Sequence, residues 1–145
     1  MGYLKIWIHT VWTTKDREPL LLPEPRKTVF AHIGENAIKK GIFLDHLNGH
    51  LEHVHALISM NSNQSIDKVV MLLKGESSFW INKSGLINGH FEWQDEYFAV
   101  SVSESLVPKV RNYIAHQEEH HRRKGFQEEY DELMNRYGFN RLVSG

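Results

Sequence analysis

The chain has 145 residues, 41% hydrophobic and 24% charged, with 17 basic against 18 acidic side chains and a formal net charge of −1. These values fit one globular domain over 1–145 with a genuine core; they exclude a disordered or low-complexity chain, and the near-neutral balance argues against a strong duplex-DNA binder. No stretch reaches the ~20 apolar residues of a membrane span and no signal-peptide layout opens the chain, so a cytoplasmic protein without a membrane partner is expected. Cysteine is absent, which leaves His, carboxylate and amide groups as the metal ligands available.

Tyr3 to Trp12 is rich in aromatic and β-branched residues and is broken by Asp16-Arg-Glu-Pro19, which predicts a first strand. From Arg26 to Lys40, Val29, Phe30, Ile33, Ala37 and Ile38 recur at helical spacing and Gly41 stops the run. Two β-like stretches follow, Ile42 to His46 and His50 to Met60, with Leu47-Asn-Gly49 between them as a hairpin signal. Ser65 is placed to cap a helix running to about Lys83, with Ile66, Val69, Val70, Leu73 and Trp80 inward. Phe91 to Ser103 reads as a last strand and Val110 to Arg123 as a helix ending near Lys124-Gly125. A short helix over Phe126 to Tyr137 closes the pattern before Gly138. The order predicts an α+β fold: a ferredoxin-like, antiparallel or mixed sheet with helices on one face.

Within the second β-like stretch stands His53-Val-His55. Residues two apart on a strand share a face, so one ion can bridge both imidazoles, while Val54, Ala56 and Ile58 form an apolar row on the other side. Far along the chain, Tyr113 and Gln117 are four apart in the predicted helix, a spacing that brings a phenol and a carboxamide to one face.

In this order, these fragments resemble the single-tyrosine transposases of the HUH superfamily, in the insertion-sequence 200/605 group. The likeness extends over Trp7-Ile-His-Thr-Val-Trp12, His53-Val-His55, Leu73-Lys-Gly-Glu-Ser-Ser78, Trp93-Gln-Asp-Glu-Tyr97 and Tyr113-Ile-Ala-His-Gln117-Glu-Glu-His-His121. It implies that Tyr113 is the nucleophile, joining the 5′ end of DNA as a phosphotyrosine and leaving a 3′ hydroxyl. It also implies that His53, His55 and Gln117 hold a divalent metal, magnesium or manganese. Single-stranded DNA with hairpins would be the substrate, and the protein a homodimer whose tyrosine helix completes the partner's site. Two imidazoles and an amide are nitrogen-rich for magnesium and suit manganese better.

The remaining polar residues are weighed against simpler roles. Lys74 and Gly75 are candidate DNA-backbone contacts, the glycine alternatively allowing a tight helix-to-sheet contact. His120, His121, Arg122 and Arg123 are candidate phosphate contacts, with His116 beside them, although a polar helix end is commonly solvated. Glu52 is expected to point away from His53 by strand alternation, and His9 and His46 to be structural or solvated. The four tryptophans are read mostly as core. Two other functions compete: a non-mobile relative that processes or only binds DNA hairpins, and a small hydrolase that uses water at the His pair and has no need of Tyr113.

Overall fold

A computed structural model describes residues 2–138. In chain order the elements are β1 (Trp7–Thr13), α1 (Pro23–Lys39), β2 (Phe43–Gly49), β3 (His53–Ser59), α2 (Ile66–Ser84), β4 (Phe98–Val102), α3 (Val107–Ala115), α4 (Gln117–His120) and α5 (Phe126–Tyr137), with 3-10 turns at Lys15–Arg17 and Glu104–Leu106. The strands form one antiparallel sheet in the order β2-β3-β1-β4. The expected α+β fold is thus present, although the single domain expected over 1–145 extends beyond the described residues at both ends.

Strand alternation divides the sheet. Trp12, Val54, Ala56 and Ile58 face α1 and α2, where Val29, Ile33, Val69, Val70, Leu73 and Ile81 complete the main core. The opposite face carries Trp7 and Leu57 beneath Val107 and Ile114 of α3, in a smaller apolar cluster. His9, His53 and His55 are buried; His9 pairs with Leu57, and Val11 with His55, across the β1–β3 ladder. The helices carrying the C-terminal polar residues close over this second face.

Several boundaries differ from the sequence-based expectation: β1 begins at Trp7 rather than Tyr3, and α1 at Pro23 rather than Arg26. The Asn48-Gly49 pair lies within β2 rather than at the hairpin turn, which falls at residues 50–52. Gly49 is required for another reason: a Cβ there would sit 2.1 Å from the His53 carbonyl oxygen. The last strand begins at Phe98, not Phe91, because the Phe91 backbone is held by a side chain: its N–H donates to Asn82 Oδ1 at 2.7 Å and its carbonyl accepts from Asn82 Nδ2 at 2.9 Å.

The predicted Val110 to Arg123 helix is broken at His116 (φ −106°, ψ 29°). Asn48 Nδ2 donates to the carbonyls of Ile114 and Ala115 at 2.9 and 3.2 Å, so β2 satisfies backbone groups that the helix leaves open. Arg111 grips Asp45 at 2.8 and 3.0 Å through two guanidinium nitrogens, latching α3 to the same strand.

Among the described residues, Asp16 (φ 56°) and Arg17 (φ 54°) are the non-glycine positions with left-handed backbone. That conformation costs of order 1–3 kcal/mol per residue and persists only where its surroundings enforce it. Here the Arg17 N–H donates to the Thr14 carbonyl at 3.0 Å and the Asp16 N–H to Gln94 Oε1 at 3.2 Å.

Candidate active site

The His-hydrophobe-His strand does what its spacing predicts. Both imidazoles are fully buried on one face of β3, and each presents Nε2 to the same place. The opposite nitrogens are occupied: His53 Nδ1 lies 2.8 Å from Glu52 Oε1, and His55 Nδ1 lies 2.9 Å from His9 Nε2. A metal-ligating histidine needs that second contact to fix its ring and tautomer.

What the Nε2 atoms meet is a residue the sequence reading missed. Glu129, on α5 and 1% exposed, places Oε1 at 3.1 Å from His53 Nε2 and 3.2 Å from both His55 and His121 Nε2. Its other oxygen, Oε2, accepts from the Tyr113 hydroxyl and, at 3.3 Å, from Gln117 Nε2. Gln117 is fully buried and its Oε1 is 3.1 Å from His53 Nε2. Tyr113 and Gln117 therefore converge on the His pair, although the helix break gives them separate elements.

The charges sort the protonation states. Burial pulls His53 down, but the Glu129 and Glu52 carboxylates outweigh it, and its pKa ends above the ordinary value. Oxygen acceptors face both of its ring nitrogens, a setting that favours the protonated ring. Burial dominates at His55 and His9, lowering them to about 4 and about 3, so they pack as neutral rings. Burial opposes ionisation of Glu129, yet the hydrogen bonds from His121, His53 and His55 hold it well below the usual carboxylate range. Burial, with that carboxylate beside it, pushes the Tyr113 phenol well above its ordinary value.

The donor set fits a divalent ion. His53, His55 and Glu129 each offer one ligand atom, all within 4.8 Å of one another, and Gln117 adds an amide oxygen at the same place. The carboxylate answers the nitrogen-rich character of the ligand set inferred from sequence, since hard cations prefer oxygen.

Several expectations require correction. Glu52 contacts His53 because β3 begins at His53, so alternation does not govern the residue before it. His9 is part of the site through His55 rather than structural or solvated. His121 is drawn inward to Glu129 instead of lying on a phosphate-facing surface, and His120 Nε2 lies 3.5 Å from Glu129 Oε2. Lys74 directs Nζ to the carbonyls of Gln94, Asp95 and Glu96 at 2.6, 3.1 and 3.4 Å, so its donors are committed within the chain. Gly75 makes no tight contact: a Cβ there would meet nothing within 4 Å. Arg122 and Arg123 are exposed. Trp7, Trp12 and Trp93 are core, as expected, with Trp80 packed against it.

A fully buried His pair on an antiparallel sheet, with a tyrosine and a glutamine folded over it, defines the single-tyrosine class of HUH enzymes. A family model described as "Transposase IS200 like" matches residues 3–117, and the chain belongs to that family of DNA transposases. It is similar to the ISDra2 transposase TnpA of Deinococcus radiodurans, 27% identical over 123 residues spanning 80% of this chain and 87% of that protein. A crystal structure of a D. radiodurans R1 protein described as a transposase superposes with a TM-score of 0.64 at 26% identity, covering 81% of this chain and 95% of that one. A tyrosine transposase bound to a REP hairpin shares the fold, with a TM-score of 0.58 at 12% identity over 86% of this chain and 72% of that one. Glu129 and the rest of α5 lie beyond the family match.

Proposed function

We propose that the protein cleaves and rejoins single-stranded DNA at hairpin-containing ends through a 5′-phosphotyrosine intermediate. The observation that carries this reading is the convergence of the Tyr113 hydroxyl and the His53 and His55 Nε2 atoms on the two oxygens of Glu129. Tyr113 Oη attacks the scissile phosphorus, a phosphotyrosine bond forms and the 3′ oxygen leaves with the bonding pair. The phenolic proton ends on the departing 3′ oxygen, which becomes a hydroxyl, while Glu129 orients the nucleophile by accepting the tyrosine's hydrogen bond. Because the phosphodiester is exchanged rather than hydrolysed, a 3′ hydroxyl can reverse the step and join strands without a nucleotide cofactor.

His53 and His55, with oxygens from Gln117 and Glu129, would hold a divalent metal, manganese better than magnesium for this ligand set. Such an ion supplies polarisation of the phosphate when bound. Arg122 and Arg123, exposed beside the site, suit the DNA backbone, whereas Lys74 does not, its donors being engaged elsewhere.

Family resemblance makes a homodimer the expected assembly. The within-chain contact between Tyr113 and Glu129 supports a protomer that builds its own site. The likeness to a hairpin-bound tyrosine transposase favours a hairpin substrate, one that a non-mobile processing enzyme of this scaffold would share. No described helix is long and apolar enough to cross a membrane, and a compartment that holds DNA, the cytoplasm, is the one the reading requires.

The test is a denaturing gel for a covalent protein–DNA adduct, with labelled single strands from DNA flanking the gene and manganese or magnesium. An adduct that vanishes in Tyr113→Phe supports the proposal. Cleavage that survives Tyr113→Phe without an adduct identifies a hydrolase using water, and hairpin binding without reaction identifies a binder.

A further inference from the structure

Resting on the single-strand reading above, we infer that a cavity between the Asp16-Arg17 turn and α5 holds one unpaired nucleobase of the strand whose phosphate is presented to Tyr113. The cavity has a volume of about 410 Å³ and is lined by Arg17, Gln94, Tyr97, Phe98, Phe126 and Tyr130, among others. That size lies in the ~300–1,000 Å³ range of small-molecule sites.

Its walls suit a flat, polar-edged ring. The Arg17 guanidinium sits 5.0 Å from the Phe126 ring centroid and 4.9 Å from that of Tyr130, and Phe98 meets Tyr130 edge-on at 6.4 Å. Aromatic faces and guanidinium planes are the surfaces on which unstacked bases rest. Asp16 and Glu96 are also among the lining residues; carboxylates repel a phosphate but accept from an exocyclic amine. The occupant is therefore the base, with the backbone held outside.

The cavity also communicates with the reaction centre. Phe126 turns one face toward Arg17 and stacks on the His53 ring, with centroids 4.2 Å apart and planes at 25°. Beyond Phe126 lie His53 and, across Glu129, Tyr113. A base in the cavity thus belongs to a nucleotide next to the reacting phosphate or close to it. The left-handed backbone at Asp16 and Arg17 is the device that lays the guanidinium over the α5 rings, and Lys74 secures the opposite wall by holding the 94–96 carbonyls.

The experiment scans single strands that the protein binds with an abasic position moved along the sequence, comparing the unsubstituted protein with Arg17→Gly and Tyr130→Leu. Glycine accepts the φ of 54°, so Arg17→Gly removes the guanidinium without straining the turn, and circular dichroism checks the fold of each variant. The expected result is one position near the cleavage site where loss of the base weakens binding about tenfold. At that position alone, the two substitutions and the missing base should not multiply. Independent, multiplying effects at every position, or no sensitive position, would overturn the inference while leaving the transposase reading intact. Failure of the unsubstituted protein to bind any single strand would overturn both.

Discussion

Tyr113 and His53 share Glu129: the tyrosine hydroxyl donates to one carboxylate oxygen, and the other lies 3.1 Å from His53 Nε2. The tyrosine and the paired histidines of β3 are thereby tied to a single side chain delivered by the last described helix. That charge raises the phenol pKa, beyond the effect of burial, so the residue that positions Tyr113 also restrains its ionisation.

Glu129→Gln should therefore lower the Tyr113 pKa, because the repelling charge is gone while the shape is kept. Ultraviolet titration of tyrosinate, with Tyr113→Phe as the subtraction control, reads this directly. A titration unchanged from the parent would contradict the assigned role.

Manganese affinity should depend on residues that do not touch the ion. His9→Phe preserves a buried ring but removes the contact that fixes His55, and a loss of about 10- to 100-fold is expected. The substitution also leaves the buried His55 Nδ1 without its partner, so a loss of about 1–3 kcal/mol in stability is expected. Calorimetric titration with manganese measures the first effect and thermal melting the second. Metal binding should also release a proton from His53, detectable as a buffer-dependent binding enthalpy.

Acid should weaken the fold in a defined window. His55 and His9 titrate near 4 and 3 in the folded protein, against 6.5 when unperturbed. The unfolded chain thus binds more protons between those values, and the stability these residues contribute is complete above about pH 6.5 and lost progressively toward pH 4. Glu129, held low, acts in the same direction as pH falls; the raised His53 acts in the opposite one, its contribution present below 6.5 and lost as pH rises through its folded pKa. A fall in melting temperature on the order of 10 °C between pH 7 and pH 4.5 is expected, with a shallower dependence in His9→Phe.

Gly49→Ala should be costly for a reason unrelated to turns. The added methyl would meet the His53 carbonyl oxygen, forcing β2 and β3 apart where the first histidine is set. Destabilisation of roughly 1–3 kcal/mol is expected by urea denaturation, with manganese binding impaired in whatever fraction remains folded.

Mixing Tyr113→Phe with His53→Ala should not restore adduct formation if each chain completes its own site, as the contact through Glu129 supports. Recovery on mixing would show instead that the tyrosine helix is exchanged between protomers.

The local parts of this site were legible in the sequence because their physics is local. Period-two alternation placed His53 and His55 together and put Val54, Ala56 and Ile58 opposite, and the spacing of Phe126 to Tyr137 marked α5. Tertiary contacts were not legible. Asn48 ends α3 from another element, and His9 reaches His55 only through strand register. Glu129 lies 74 positions from His55, but it left a trace: it shares the buried face of α5 with Phe126 and Leu133, and a carboxylate on an apolar helix face needs a partner.

The placement of Glu129 also has a temporal consequence. During synthesis the sheet residues, Tyr113 and Gln117 all emerge before residues 126–137, so a nascent chain has its histidines and tyrosine but not the carboxylate that brings them together. Until α5 leaves the ribosome, Tyr113 has no Glu129 to hold its proton and the Arg17 guanidinium has no rings to lie upon. Strand transfer by this chain should begin only when translation of that helix is finished.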